Sequence, residues 1–421
     1  MSSLVQHTHC TVAAVKKAAD ILQEVSAKTP LMKNYRYSNS FQANVFLKRE
    51  DLQMVRSYKI RGAFNKINSL SQDERDRGIV CASAGNHAQG VAYSCRALEI
   101  QGTIVMPSPT PKQKIEQVKM FGEGFIDIAL IGDTFDDAYK AAKELCDKQL
   151  KTFVHPFDDL KIIEGQATVG MEILEQSTVP IDYVFVPVGG GGLAAGLSSI
   201  FKQCSAHTKI IGVEPEGAPS MKAAMEQGAV VRLNKIEKFI DGAAVQQVGE
   251  LTYSICRNTI DAMCTVAEGK VCQTILDLYN KDAIVVEPAG ALTLAALDSY
   301  AQEIRGKNVV CVVSGSNNDI TRTAEIKERA LLHANLKHYF IIRFPQRAGA
   351  LKEFVAEILG PNDDITHFEY TKKSSREQGP AVVGIELKNE ADFEPLVARM
   401  KTHNFFGDYL NNKPNLFRFL V

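Results

Sequence analysis

Short apolar runs alternate along the chain with longer segments whose apolar residues recur at helical spacing. The apolar runs predict strands at residues 78–83, 102–107, 125–132, 151–157, 182–192, 209–217 and 307–316. Strands of this kind, alternating with helices, predict a parallel sheet that helices cover on both faces. Because ligands of open α/β sheets bind at the carboxyl ends of the strands, we expect the functional residues in the turns that follow these strands.

After about residue 325 the pattern changes to the order β-α-β-β-α-β, which predicts a small ferredoxin-like domain. Its predicted elements are strands at 338–345, 364–372, 380–388 and 415–421 and helices at 348–359 and 390–401, preceded by a polar helix at 323–337. We therefore expect a catalytic domain at 1–325 with a smaller subdomain, about 50–155, inserted in it. A connecting helix at 326–337 and a separate domain at 338–421 would follow.

Composition narrows the class of protein. The chain has 421 residues, 45% of them hydrophobic, and a formal net charge of −1. No basic block indicates nucleic acid as a partner, and no apolar run approaches the roughly 18 residues that span a membrane. The nine cysteines are scattered without a C-x-x-C pair, so we expect neither a disulfide framework nor a zinc site. We expect no signal peptide, and a reducing, cytoplasmic location.

The first turn of interest is "SYKIRGA" (57–63), which carries Lys59 between Arg56 and Arg61. A lysine amine becomes a good nucleophile when desolvation or nearby cations lower its pKa. On this segment alone, an ordinary basic helix face is the better interpretation.

The second turn, "SAGNHAQG" (83–90), follows a predicted strand and begins a helix. Free N–H groups and the helix dipole make such a turn a site for a carboxylate or phosphate, and Asn86 adds a side-chain hydrogen bond. Helix capping by Ser83 or Asn86 is an equally good interpretation. His87 is a candidate general base, with a structural role as the better alternative.

The third turn, "VGGGGLAAG" (188–196), has four consecutive glycines, a costly arrangement that suits close wrapping of a phosphate. Gly190, Gly192 and Ala195 also satisfy G-x-G-x-x-A, and Glu214 lies about 24 residues after Gly190. A dinucleotide enzyme is therefore a real alternative at this point, although it would not explain the other turns.

The fourth turn, "VVSGSNNDI" (312–320), places the hydroxyl of Ser314 at the end of an apolar strand. Together the turns offer a lysine for a Schiff base, a phosphate cup, a carboxylate site and a hydroxyl for a ring nitrogen. Pyridoxal phosphate requires such a set of contacts.

These motifs resemble those of the fold-type II pyridoxal-phosphate enzymes, most closely the biosynthetic threonine deaminases (threonine ammonia-lyases). The resemblance rests on "SYKIRGA", "SAGNHAQG", "PVGGGGL" (187–193), "EPAGA" (287–291) and "SGSNND" (314–319). The segment "FPQRAGAL…DITHFEYTKKSS" resembles the single ACT-like regulatory domain of the short form of that family. The implied fold has two parallel-sheet α/β subdomains and a C-terminal α+β domain.

The resemblance implies a role for each matching residue. Lys59 matches the Schiff-base lysine, Asn86 the residue that bonds the cofactor's 3-oxygen, and Ser314 the partner of the pyridine nitrogen. The phosphate cup corresponds to Gly189, Gly190, Gly191, Gly192 and Leu193, and the substrate-carboxylate loop to Ser83, Ala84, Gly85, Asn86 and His87. The implied reaction converts L-threonine to 2-oxobutanoate and ammonia. The implied effector is isoleucine, with valine as a second candidate, and the implied assembly is a tetramer.

Departures from related families sharpen the prediction. Serine racemases carry a second serine where this chain has Ala84, and an acidic metal ligand where it has Ser220, six residues after Glu214. We therefore expect neither racemisation nor a divalent site at Glu214. Ala167 stands where relatives commonly carry glycine, without a clear consequence. A catabolic L-serine/L-threonine dehydratase, a β-replacing synthase and a catalytically dead amino-acid sensor remain as alternatives.

Overall fold

The computed structural model describes residues 10–370, 378–413 and 416–417. It divides the chain into two units, Met1–Asp319 and Ile320–Val421. The division lies a few residues before the expected boundary at 325/326.

The first unit contains a six-stranded and a four-stranded sheet. The strands are β1 (Leu31–Lys33), β2 (Asn44–Arg49), β3 (Ile79–Ala82), β4 (Gly102–Met106), β5 (Ile126–Leu130), β6 (Thr152–Phe153), β7 (Tyr183–Pro187), β8 (Lys209–Pro215), β9 (Ala262–Val266) and β10 (Asn308–Val313). Their orders are β1-β2-β10-β7-β8-β9 and β5-β4-β3-β6. All neighbours pair in parallel except β1 with β2.

Helices cover both sheets, as the alternating pattern predicted. They are α1 (Val12–Leu22), α2 (Tyr35–Phe41), α3 (Lys59–Asn68), α4 (Gln72–Arg77), α5 (Asn86–Ala97), α6 (Lys112–Gly122), α7 (Phe135–Gln149), α8 (Leu160–Gln176), α9 (Gly192–Cys204), α10 (Ser220–Gln227), α11 (Glu250–Thr259), α12 (Glu268–Asp282) and α13 (Pro288–Ala295). Every predicted strand of this unit contains an observed one. β1, β2 and β9 were not predicted.

The helix that begins at Lys59 packs unusually closely on α8. A Cβ on Gly62 would lie 2.8 Å from the carbonyl oxygen of Ile162, and one on Gly165 would lie 2.7 Å from the Cα of Gly62. Side chains at these two positions would separate the helices. The glycines of "KIRGA" and "EGQAT" therefore allow α3 to pack closely against α8.

The second unit has one antiparallel sheet of order β12-β13-β11-β14, the ferredoxin-like order. Its elements are α14 (Thr323–His333), β11 (Lys337–Pro345), α15 (Ala350–Glu353), β12 (Asp364–Tyr370), β13 (Gln378–Glu386), α16 (Phe393–Thr402) and β14 (Phe406–Tyr409). The predicted helix at 348–359 is an α-helical turn that continues as a π-helix over Phe354–Ile358.

The fourth strand of this sheet, among the described residues, is Phe406–Tyr409, which was not predicted. The strand predicted at 415–421 lies mostly outside the described residues. Leu416 and Phe417 are helical. The apolar run "NLFRFLV" has the pattern of a strand, but the shorter segment beside α16 pairs with β11.

No helix in the described part of the chain combines the length and the apolar character that crossing a bilayer requires.

Candidate active site

The four turns singled out in the sequence meet at the carboxyl ends of the parallel strands. Tyr58 N–H donates to the carbonyl oxygen of Ser314 at 3.2 Å, which joins the first turn to the fourth. The amide nitrogen of Asn317 donates to Asn86 Oδ1 at 2.8 Å, which joins the fourth to the second. Lys59 Nζ donates to the carbonyl oxygen of Pro156 at 2.9 Å. Direct hydrogen bonds therefore link the first, second and fourth of the predicted turns.

Lys59 is the first residue of α3, and its backbone lies under Gly90 of α5, where a Cβ would approach it to 3.1 Å. Burial lowers the pKa of Lys59 to about 8, and the nearby carboxylate of Glu287 opposes that shift. At pH 7 an amine with this pKa is neutral in about a tenth of the molecules, far more than an exposed lysine would be.

The neighbouring arginines do not cause this shift, contrary to the sequence-based interpretation. Arg61 is buried and points away from the site: its guanidinium bonds Glu50 at 2.8 Å and Glu172 at 2.6 Å. Its charge is thereby neutralised by two carboxylates. Arg56 has its side chain exposed, and its backbone adopts a positive φ of 60°.

Asn86 occupies the first position of α5, but its side chain does not cap the helix. Its amide nitrogen donates to both oxygens of Glu287, at 2.7 and 2.9 Å. The N-cap residue is Gly85, which offers no side-chain bond, while Ser83 Oγ accepts the N–H of Gly85 at 3.2 Å. The capping interpretation therefore fails for Asn86. In the described chain, the first N–H groups of α5, Asn86 to Ala88, have no acceptor.

His87 is buried and neutral. Burial, and secondarily the charge of Lys59, lower its pKa to about 3, and Nε2 lies 3.0 Å from the carbonyl oxygen of Val154. Since a carbonyl only accepts, Nε2 carries the proton and donates. A histidine held in this form orients the loop, and it is a poor candidate for the general base. Ala84 is partly buried and presents only a methyl group.

The glycine loop offers a row of backbone donors. Among the described residues, the N–H groups of Gly189, Gly190, Gly191, Gly192 and Leu193 find no acceptor. Gly191 has a φ of 95°, which a residue with a side chain rarely adopts, and it precedes α9 without a side-chain cap. Free donors at the start of a 13-residue helix form an anion site.

Three residues that the sequence analysis missed hold this loop in place. A Cβ on Gly190 would overlap the ring of Phe157. Thr252 Oγ1 donates to the carbonyl oxygen of Gly190 at 2.7 Å, and Asp158 Oδ1 accepts the N–H of Thr252 at 3.0 Å. Phe157 and Asp158 follow β6, and Thr252 lies in α11. No local pattern in the sequence indicates these long-range contacts.

The hydrogen bonds of two further polar residues, Ser314 and Glu214, distinguish their roles. Ser314 is buried, and its hydroxyl bonds to no residue within the described ranges, so it is available to a ligand. Glu214, the acid of the alternative dinucleotide motif, instead accepts the N–H groups of Met221 at 2.7 Å and Lys222 at 2.9 Å. It therefore serves the start of α10.

The fold and the site define a class of enzyme. A family model described as "Pyridoxal-phosphate dependent enzyme" matches residues 22–315, and one described as "C-terminal regulatory domain of Threonine dehydratase" matches residues 328–420. The chain belongs to the pyridoxal-phosphate dependent enzyme family, and within it to the biosynthetic threonine dehydratases, on the following similarities.

The chain is 54% identical over 404 residues to L-threonine dehydratase biosynthetic IlvA of Halalkalibacterium halodurans, covering 96% of this chain and 97% of that one. It is 53% identical over 420 residues to the protein of that name from Bacillus subtilis, covering 100% and 98%. The processed form of threonine deaminase isoform 2 from Solanum lycopersicum superposes with a TM-score of 0.72 at 40% identity. That superposition covers 77% of this chain and 95% of the other.

The residues present fit pyridoxal phosphate. The row of unpaired N–H groups from Gly189 to Leu193 suits its phosphate, and the lowered pKa of Lys59 suits attack on its aldehyde. The unpaired hydroxyl of Ser314 suits its ring nitrogen.

Proposed function

We propose that the protein converts L-threonine to 2-oxobutanoate and ammonia, the first committed step of isoleucine biosynthesis. The observation that carries the proposal is the partly buried amine of Lys59, its pKa lowered to about 8, between two helix starts with free N–H groups. The full-length similarity to proteins named biosynthetic L-threonine dehydratase supports the choice of substrate.

Bound pyridoxal phosphate supplies an aldehyde that links covalently to amines and a ring that withdraws electrons from the substrate's α carbon. Lys59 Nζ would hold this aldehyde, and the same amine is placed to accept the α proton of threonine. Burial keeps this amine partly neutral near pH 7, as a base requires.

Two anion sites orient the reactants. The donors of Gly189 to Leu193 bind the phosphate, and the start of α5 at Ser83–His87 binds the substrate carboxylate, in each case through N–H groups and the helix dipole. Ser314 offers the ring nitrogen a neutral hydroxyl. A hydroxyl does not hold a proton on that nitrogen as a carboxylate would, which favours loss of the β-hydroxyl over transamination.

The C-terminal unit has its own core and its own sheet, and we propose that it binds isoleucine, with valine as a competing effector. The match of residues 328–420 to a regulatory domain supports this role and disfavours the catabolic serine/threonine dehydratase. We further propose a cytoplasmic homotetramer with the catalytic domain at 1–325, the connecting helix at 326–337 and the regulatory domain at 338–421.

The test is release of 2-oxoacid from threonine and from serine, with and without isoleucine. Lys59→Ala should abolish turnover and the visible absorption of the lysine-bound cofactor. Lys66→Ala is the matched control. Lys66 lies in the same helix, but its amine forms an ion pair with Asp159, 2.8 Å long, and lies away from the site. Normal activity of Lys59→Ala would contradict the assignment. A preference for serine, without any response to isoleucine, would favour the catabolic alternative.

A further inference from the structure

Glu287 is a buried carboxylate that the proposed mechanism does not use. It opens the "EPAGA" segment and precedes Pro288 at the start of α13. Its oxygens accept both contacts of the Asn86 amide nitrogen, at 2.7 and 2.9 Å, although the two residues are 201 positions apart. A buried carboxylate needs such partners, and among the described residues the side-chain donor to Glu287 is Asn86, a residue of the predicted site.

Loops that carry site residues converge on this carboxylate. Glu287 N–H donates to the carbonyl oxygen of Gly315 at 3.1 Å, and a Cβ on Gly315 would lie 2.6 Å from Glu287 Oε1. A Cβ on Gly242 would lie 3.5 Å from the same oxygen. The next residue, Ala243, lies against Gly189 of the phosphate loop. Glu287 therefore contacts the turn of Ser314 and the turn of Asn86, and it lies near Gly242, whose neighbour Ala243 packs against the glycine loop.

The Asn86 amide is fixed from both sides. Its oxygen accepts from Asn317 Nδ2 at 2.8 Å, and Asn317 in turn donates to the carbonyl oxygen of Val55 at 2.9 Å. Its nitrogen faces Glu287. The amide cannot exchange its oxygen and nitrogen without losing both contacts, so a nitrogen donor is what it presents to a ligand.

The charged groups that act on Glu287 come from three elements. They are Lys59 of α3, Lys114 of α6 and Asp241 of the loop before Gly242; Lys114 and Asp241 pair at 2.7 Å. Burial, with a smaller contribution from Asp241, raises the pKa of Glu287, and Asn86, Lys114 and Lys59 oppose the rise, so that the pKa lies at about 7. The carboxylate thus changes charge near neutral pH.

We propose that Glu287 is a positioning residue, which holds the Asn86 amide so that its nitrogen donates to the 3-oxygen of the cofactor ring. This inference rests on the proposed function, since it assumes that the cofactor binds between Asn86 and Ser314. Ionised Glu287 accepts from Asn86 with both oxygens. Protonation converts one oxygen into a donor and weakens the hold, so the surroundings of the bound cofactor depend on pH through Glu287.

The experiment compares wild type, Glu287→Gln, Asn86→Ala and the double variant. Glutamine replaces one accepting oxygen with an NH₂ group that faces the Asn86 nitrogen. We expect the dissociation constant of pyridoxal phosphate for the apoprotein to rise about tenfold, the size of one lost hydrogen bond to a charged group. The wild-type absorption of the bound cofactor should change through a step near neutral pH that Glu287→Gln lacks.

Glu214→Gln is the matched control. Glu214 is also buried with its pKa raised to about 7, but it accepts from Ser220, Met221 and Lys222 at the start of α10. This variant should keep the spectral step and the cofactor affinity, within about twofold of wild type.

The double-mutant cycle decides how Glu287 acts. If it acts through Asn86, Glu287→Gln causes no further loss of affinity once Asn86 is alanine. Equal losses in both backgrounds, or a wild-type spectrum and affinity for Glu287→Gln, would overturn the proposal. If Glu287→Gln does not fold, Asn86→Ala alone suffices: because Glu287 acts on the cofactor through Asn86, the spectral step near neutral pH should be lost, and a step that persists unchanged would overturn the proposal. Wild type that binds cofactor but releases no 2-oxobutanoate would defeat the proposed function alone.

Discussion

Replacing Arg61 by methionine tests whether its buried ion pairs hold α3 in place. The guanidinium is 1% exposed and makes two bonds to Glu50, two to Glu172, at 2.6–2.9 Å, and one to Thr168 at 3.0 Å. Methionine fills much of the same volume but leaves Glu50, which is fully buried, without its main partner. Lys48 remains nearby.

The expected loss follows from the unpaired charge. Breaking a buried ion pair by removing one partner costs about 3–5 kcal/mol. At roughly 2 °C per kcal/mol in a unit of this size, the unfolding midpoint should fall by about 6–10 °C. Arg61→Lys, the matched control, keeps the charge but loses the two-pronged contacts, so its midpoint should lie between those of Arg61→Met and wild type.

The loss should depend on pH with a definite sign. Burial alone would raise the pKa of Glu50, but Arg61 and then Lys48 lower it more, so its native pKa lies below the usual value. In wild type this carboxylate contributes stability above the unfolded pKa of about 4.3 and loses it as pH falls. Without Arg61 the largest opposing charge is lost and the native pKa of Glu50 rises, so the variant's deficit should shrink as the pH falls toward the unfolded pKa of about 4.3.

Calorimetry of the full chain is the assay, because the unit Ile320–Val421 has a separate core and serves as an internal reference. Arg61→Met should lower the transition of the first unit and leave that of the second. An unchanged first transition would refute the role of the ion pair. A deficit that grows toward acid pH would refute the charge argument.

Three further predictions concern the site. Gly190→Ala should greatly weaken cofactor binding in equilibrium dialysis, because its Cβ would overlap the Phe157 ring; normal binding would contradict the packing of the loop. Thr252→Val removes the 2.7 Å hydrogen bond to the carbonyl oxygen of Gly190. The loss of one such bond, about 1 kcal/mol, predicts an approximately fivefold higher cofactor dissociation constant. Ser254→Ala is the control, because this hydroxyl lies on the same helix but bonds to Leu251, and the dissociation constant should not change. Burial lowers the pKa of His155 to about 4, so the native state resists its protonation and stability should be lost as pH falls below about 6.5 toward 4. In His155→Asn, which keeps an acceptor for the Phe157 and Asp158 N–H groups, the unfolding midpoint should fall less steeply over that range; an unchanged slope would exclude this histidine as a cause.

Much of the fold was predictable because its signals are local. Apolar strands of the first unit and the turns that follow them are continuous segments, and the parallel arrangement brings their carboxyl ends to one place. The space around Lys59, Asn86, Gly189–Leu193 and Ser314 follows from that geometry. The order of elements in the second unit was predictable, but its last described strand, Phe406–Tyr409, is only four residues long and was not predicted.

The supporting contacts were not predictable, because they join residues far apart in the chain. Nothing near Asn86 indicates that its nitrogen faces Glu287, and nothing near Gly190 indicates Thr252, 62 positions away. "EPAGA" was visible as a motif, but a glutamate before a proline is equally typical of a helix start. Such pairings are decided by tertiary packing, which single-residue patterns do not contain.

Arg56, Lys59 and Arg61 are close in sequence, but the geometry of α3 gives Lys59 and Arg61 different surroundings. Residues two apart in an α-helix point about 200° apart, so Lys59 and Arg61 cannot both face the cofactor space. With Arg61 bound to Glu50 and Glu172 behind the helix, the first turn of α3 is held against the rest of the unit. Lys59 is then fixed at the opposite face, near Pro156, where burial rather than a neighbouring cation lowers its pKa. The charge cluster is thus divided: under the proposed function Lys59 carries the chemistry, and Arg61 anchors the helix on which Lys59 lies.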